Sequence, residues 1–216
     1  MRQPVKGRSE AGRRRESRAY ETRRRIAEAG LRLFLETGYA GTTMQAVAEA
    51  ALVAPATIYQ AFGTKHAVLA AALDITVAGN DATLGVLDQD WVDRVRHEKN
   101  PDRQLRLVAE GTSRIAARTA PIKEVMRDAV ASELEARELI RQDHEGRLRT
   151  QAALVDLLIE KRSLRPGMDR RRAVDTYFAI VNSTTYELLV VQRGWTLSEW
   201  QGWIADVIAR ELFGAH

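Results

Sequence analysis

The chain has 216 residues, no cysteine and a formal net charge of +4 from 33 Lys+Arg against 29 Asp+Glu. These features exclude disulfides, thiol catalysis and thiolate metal sites. No apolar run approaches the roughly 18–20 residues that cross a bilayer, and His66, His97, His144 and His216 are too dispersed for a metal-ligand spacing.

The basic excess lies entirely in the first third. Residues 1–66 hold 12 Lys+Arg against 6 Asp+Glu, so residues 67–216 sum to −2. A focused positive field suits a polyanion, because phosphate neutralisation releases counterions. Residues 1–17 read as a basic flexible arm. They lack the hydrophobic stretch of a signal peptide, which with the absent cysteine points to a cytoplasmic protein with no membrane contact. Beyond the arm, Ala, Leu, Arg and Glu fill long windows at helical periodicity, so the fold class is all-α.

The first helix is expected from about Glu16 to Thr37, with Ile26, Ala29, Leu33 and Phe34 on one apolar face and Arg23, Arg24, Arg25 and Arg32 around the rest. Gly30 within that face implies close helix packing, and Gly38 is placed to end the helix in a left-handed conformation. Thr42 and Gln45 have the spacing of a capping box for a second helix, which carries Met44, Val47 and Ala48 inward to about Ala50. After the turn Ala51-Leu52-Val53-Ala54, Pro55 suits the first position of a third helix ending near Phe62, with Ile58 and Phe62 facing inward. Two short helices braced by a longer one make a helix-turn-helix domain, 18–66, whose last helix can enter a major groove.

The outward residues of that helix are Pro55, Ala56, Thr57, Tyr59 and Gln60. Gln60 can bond base edges or phosphate, Ala56 and the Pro55 ring can meet a thymine methyl, and Thr57, Tyr59 and Lys65 can reach phosphate oxygens. Gln45 also faces the groove. Two alternatives stay open: Tyr59 packs on the first helix instead, and Lys65 is an ordinary solvated lysine.

Ile26, Ala29, Phe34, Gly38-Tyr39, Thr42-Thr43, Val47-Ala48, Ala51, Val53, Thr57-Ile58-Tyr59, Phe62, Lys65 and Leu69 together resemble the signature of the TetR family of bacterial transcriptional regulators. The resemblance implies a third helix in the major groove, DNA contacts by Tyr59 and Lys65, and Thr43, Gln45, Pro55, Ala56, Thr57 and Gln60 near the duplex. Four positions depart from the pattern: Leu52 replaces the turn glycine, Ala54 the capping serine, Ala56 a frequent glycine, and Ala61 an aromatic or histidine. The arginine arm compensates, on this reading, by binding backbone or minor groove. Deleting residues 1–17 is then expected to weaken DNA binding and flatten its salt dependence; an unchanged salt slope would remove the arm from the interface.

Residues 67–216 read as a helical effector-binding and dimerisation domain. Thr64 caps a fourth helix carrying Val68, Leu69, Ala72 and Leu73. Further helices are expected over Leu84–Val95, Asp102–Ala117 and Ile122–Val130, then a long one to about Ser163 stopped by Arg165-Pro166-Gly167. The last two, Asp169–Arg193 and Ser198–Phe213, carry more apolar surface than a monomer buries, so they are expected to pair in a homodimer that reads a palindromic duplex. The resemblance implies the same four-helix interface, and an effector enclosed by the middle helices. Trp91, Val108, Met126, Tyr177 and Tyr186, with Leu84, Leu105 and Ile115, are candidates to line a site for a lipophilic or aromatic small molecule; ordinary core packing is the competing explanation for each. No paired nucleophile and base, glycine-rich phosphate loop or metal cluster stands in the sequence, so neither catalysis nor a metal or cofactor is expected. The functional expectation is a repressor released from its operator by the effector. An effector-independent regulator or architectural DNA binder is the alternative.

Overall fold

The computed structural model describes residues 10–79, 85–133 and 136–214, and every regular element in them is helical, as the periodicity predicts. The chain divides into two compact units, the first ending at Ile75 and the second starting at Thr76.

The first unit is built on α1 (Glu10–Gly41), α2 (Met44–Ala50), α3 (Pro55–Phe62) and most of α4 (Lys65–Ala78). Helix α1 begins at Glu10, so residues 10–17, assigned above to the arm, are helical, consistent with the high helix propensity of Arg and Glu. Residues 1–9 of the arm lie outside the described residues. Ile26, Ala27, Ala29 and Phe34 face the core with Tyr39, Val47, Ala48, Ile58, Val68 and Leu69. Gly30 has the packing role expected of it: a Cβ there would stand 2.7 Å from Val68 Cγ1. That close approach belongs to α4, which explains why the first unit runs on to Ile75 rather than stopping at residue 66.

Gly38 interrupts α1 with φ 72° and ψ 178°, a region essentially confined to glycine. The cap that follows differs from the expected one. Thr42 is buried, and its hydroxyl donates to the Gly38 carbonyl at 2.8 Å. Thr43 takes the extended conformation and accepts the Ala46 N–H at 3.0 Å, so it is the N-cap of α2. Gln45 instead donates to Glu49 at 3.0 Å.

The C-terminus of α2 closes in a Schellman arrangement. Val53 N–H bonds the Ala48 carbonyl and Leu52 N–H bonds the Glu49 carbonyl, both at 3.0 Å. This geometry places Leu52 at φ 54°, and it is the one described non-glycine residue with positive φ. Its side chain is 85 % exposed, so no packing offsets the left-handed strain. Leu52→Gly should raise stability by about 0.5–1 kcal/mol, the strain relieved less the added chain entropy of glycine. Urea denaturation checks this; a lower midpoint would show that the Leu52 side chain contributes contacts.

In the second unit, a 3-10 turn (Val86–Asp88) leads into α5 (Asp90–His97), followed by α6 (Pro101–Ser132), α7 (Arg137–Ile159), α8 (Arg170–Ile180), α9 (Ser183–Tyr186) and α10 (Leu197–Phe213). Helix α6 is the spine, packed by α5, α7, α9 and α10. Asn100 caps it by accepting the N–H groups of Asp102 and Arg103, each at 3.0 Å. The sequence predicted separate helices meeting at Pro121, but α6 continues through it. The proline removes one internal hydrogen bond, whereas Ala116, Ile122, Val125 and Met126 are buried on both sides of it and hold the helix in line.

The expected single helix Asp169–Arg193 is broken instead. Val181 (φ −91°, ψ 83°) ends α8, Asn182 caps α9, and α9 runs on into a π-turn over Glu187–Gln192. The carbonyls exposed by the break are all served. Gln151 Nε2 donates to Val181 O at 2.7 Å, Arg147 reaches Phe178 O and Val181 O, and Thr185 Oγ1 donates to Ile180 O at 2.8 Å. Arg147 also lies 3.6 Å above the Phe178 ring. Helix α10 starts with a capping box of Thr196 and Glu199. It buries Trp200, Ile204, Ile208 and Leu212 in one core with Val95, Leu105, Val108, Val155, Leu158 and Tyr177.

Candidate functional site

The residues proposed to meet DNA fall on two short helices. Ile58, wholly buried, anchors α3 and fixes which side turns outward. Pro55, Ala56 and Gln60 are exposed, Thr57 is half-buried, and Tyr59 is 54 % exposed, so much of its side chain is open to an outside partner. Thr43 and Gln45 are exposed at the start of α2. Thr43 is already engaged as a cap acceptor and Gln45 as a donor to Glu49, which leaves the hydroxyl hydrogen of one and the amide oxygen of the other for an outside partner.

Ala54 forms the N-cap of α3 with no side-chain hydrogen bond. Pro55 at the first position removes one of the N–H groups that would need a partner. Lys65 is not an ordinary solvated lysine. Its Nζ donates to Tyr39 O at 2.9 Å and lies 4.0 Å from the centre of the Tyr39 ring, so it ties the start of α4 to the end of α1. An ammonium has three donors, so the bond to Tyr39 O does not by itself exhaust it. Thr64 caps α4 by accepting the Ala67 N–H at 3.2 Å, as expected.

One side chain that positions α3 has no mark in the sequence. Arg23 Nη1 donates to the Ala61 carbonyl, and the guanidinium lies 4.2 Å from the Phe62 ring centre. The last turn of α3 is thereby held against α1, at the C-terminal end where a cation is favoured by the helix dipole. In the sequence Arg23 is one arginine of three in a row, 38 residues from its partner, and no local pattern marks it.

The residues proposed for an effector have mixed fates. Val108 and Tyr177 are wholly buried in the core of the second unit, while Trp91 and Tyr186 pack against that core half-buried. Tyr186 meets Trp200 edge to face at 5.2 Å. Met126 is buried, Leu105 is core, Ile115 is half-buried, and Leu84 lies outside the described residues. The Tyr177 hydroxyl is buried beside Thr112, and burial pushes its phenol pKa up, with Thr112 opposing the shift. Trp91 lies flat against the helix backbone at Gly111, and its Nε1 donates to Gln89 at 3.0 Å. The structure therefore brings Trp91, Val108, Tyr177 and Tyr186 to one core and leaves Met126 apart from it.

Among the described residues no group of three or more His, Asp or Glu side chains is placed to hold a metal ion, and no single helix is long and apolar enough to cross a membrane.

Residues 26–72 match the family model for bacterial regulatory proteins of the tetR family. Comparison with curated protein sequences returns no match. Among solved structures, the fold is similar to the transcriptional regulator FadR from Bacillus subtilis in complex with stearoyl-CoA, at 20% identity and a TM-score of 0.65, covering 89% of this chain and 98% of that one. It is also similar to a transcriptional regulator from Saccharomonospora viridis in complex with choline (18% identity, TM-score 0.64, 89% and 98% covered). A third likeness is NalD of Pseudomonas aeruginosa, the secondary repressor of the MexAB-OprM multidrug efflux pump (21% identity, TM-score 0.61, 90% and 97% covered).

Proposed function

We propose that this chain, a member of the TetR family of transcriptional regulators, is a homodimeric repressor that binds a palindromic duplex through α3 and leaves it when a small molecule occupies the second unit. The observation that carries the DNA reading is the outward row of α3, Pro55, Ala56, Tyr59 and Gln60, exposed on a helix anchored by buried Ile58. Helix α3 is short, so its aim depends on the contacts at its ends, the Arg23–Ala61 bond and the turn at Leu52. The dimer reading rests on the π-turn Glu187–Gln192 and the chain running from it into α10, where Leu188 and Val191 are exposed apolar side chains and Trp195 and Trp203 are only partly covered. The repressor and effector readings draw support from the NalD, FadR and Saccharomonospora viridis regulators, one a repressor and two crystallised with small molecules.

The test is selection of bound duplexes from a random pool, followed by titration of the best site at several salt concentrations. The reading requires an enriched palindrome, two chains per site and a steep salt slope. Tyr59→Ala should weaken that site about tenfold, roughly 1.4 kcal/mol. The unfolding midpoint should stay nearly unchanged, because the ring is half exposed. Unaltered affinity would remove Tyr59 from the interface.

The effector-independent reading has one specific observation in its favour: Val108, Met126 and Tyr177 are buried, as core residues are. Release of the selected operator by an aliphatic or aromatic probe, with a matching rise in thermal midpoint, favours the effector; the absence of both favours the alternative.

A further inference from the structure

Helices α5 and α6 meet at the short loop 98–100 and enclose an open groove of about 680 Å³. Its lining is strongly basic. Arg94 and His97 come from α5, Lys99 from the loop, and Arg103 and Arg106 from α6, with Leu107 as an apolar patch and Glu98 and Glu110 as the carboxylates. Arg103, Arg106 and Glu110 are spaced three and four residues apart, so they share one face of α6.

The two carboxylates are already engaged. Glu98 Oε1 accepts the Asn100 N–H at 2.9 Å, and that hydrogen bond holds its carboxyl pKa below the ordinary range, with Arg103 and Lys161 adding positive field. Glu110 is paired with Arg114, on the next turn of α6. Lys161 lies beside this corner, its Nζ donating to the carbonyls of Arg96 and Glu98. By contrast, the side chains of Arg94, Lys99, Arg103 and Arg106 make no ion pair or hydrogen bond among the described residues. Elsewhere in this unit most arginines are matched: Arg96 to Asp93, Arg127 to Glu187, Arg162 to Asp102 and Arg170 to Asp156. These four cations share one concave surface with two carboxylates that already have other partners, so the groove presents a net positive field to an entering anion.

We propose that this groove binds a small molecule carrying a diphosphate. Two or three negative charges on one compact group answer cations arriving from both walls and the loop, and guanidinium groups hold phosphate oxygens in pairs. A single carboxylate would leave most of that charge unanswered. Leu107 offers apolar surface to the organic part of the ligand. The site is separate from α3, and its test does not depend on knowing an operator.

The probe is ADP, without magnesium, titrated calorimetrically into the full chain at low salt, with adenosine and inorganic phosphate as comparisons. The expected result is saturable binding of one ADP per chain, inorganic phosphate at least tenfold weaker, and no binding of adenosine. The double variant R94Q/R106Q should bind ADP at least tenfold more weakly with an unchanged unfolding midpoint, since both side chains are exposed. Arg149→Gln, an exposed arginine on α7 outside the groove, should stay within twofold of the parent. Absence of saturable ADP binding, or equal losses in R94Q/R106Q and R149Q, would overturn the proposal. So would R94Q/R106Q losing affinity for duplex DNA while keeping ADP, which would assign the groove to nucleic acid.

Discussion

Asp143→Asn should be the most damaging single change in the second unit, costing about 3–5 kcal/mol of unfolding free energy. Lys123 Nζ lies 3.1 Å from Asp143 Oδ2, with the two side chains only 13% and 14% exposed. Burial holds the Lys123 pKa below the ordinary lysine range, and Asp143 is the neighbour that opposes the shift. Arg147 and Arg127 lie close enough to disfavour the lysine charge further, and burial lowers the Arg147 pKa as well. Without the carboxylate, Lys123 and Arg147 become like charges in a poorly solvated site. Arg147 also holds the carbonyls at the end of α8, so the disturbance reaches the break at Val181.

The sign with pH is determined. A lysine whose pKa is lower in the folded than in the unfolded state binds fewer protons when folded, so stability rises with pH between the two values. Asp143→Asn widens that gap, and the deficit against the parent should shrink as the pH rises towards the ordinary lysine range. Urea melts at several pH values measure this, and K123M/D143N should recover much of the loss because no unpaired charge stays buried. A deficit independent of pH would show that Asp143 acts through packing instead.

The first unit was legible because its determinants are local. Ile26, Ala29 and Phe34 repeat at helical spacing, Pro55 marks the start of α3, and Gly38 and Gly30 stand where backbone geometry and close packing require them. The capping error between Thr42 and Thr43 is one residue wide, and it turned on which hydroxyl is drawn back to Gly38. What was hidden depends on partners far along the chain. The break in the penultimate helix is made possible by Gln151 and Arg147, about 30 residues upstream, and nothing within Asp169–Arg193 announces it. The bonds of Arg23 to Ala61 and of Lys65 to Tyr39 are hidden for the same reason: charge is written in the sequence, but its neighbours are not.

Gly111→Ala should destabilise the second unit by about 2 kcal/mol, against the usual direction for this change in a helix. At an unencumbered helical site alanine gains roughly 1 kcal/mol over glycine. Here a Cβ would lie 2.2 Å from Trp91 Cε3, 2.4 Å from Cδ2 and 2.6 Å from Cζ3, so the indole itself would have to move. The ring is not free to slide. Its Nε1 donates to Gln89 Oε1 at 3.0 Å, and Gln89 Nε2 donates to the Ala78 carbonyl at 3.1 Å, so displacing Trp91 strains a chain of contacts running to the end of α4. That chain also holds Trp91, offered by the sequence as an effector contact, in one position. The check is the urea midpoint of Gly111→Ala alone and combined with Trp91→Leu. The smaller side chain should remove most of the clash, making the double variant more stable than the two single losses added together. A stabilised Gly111→Ala would mean that α5 yields to the methyl group at little cost, and Trp91 would regain the freedom that a ligand-contacting ring requires.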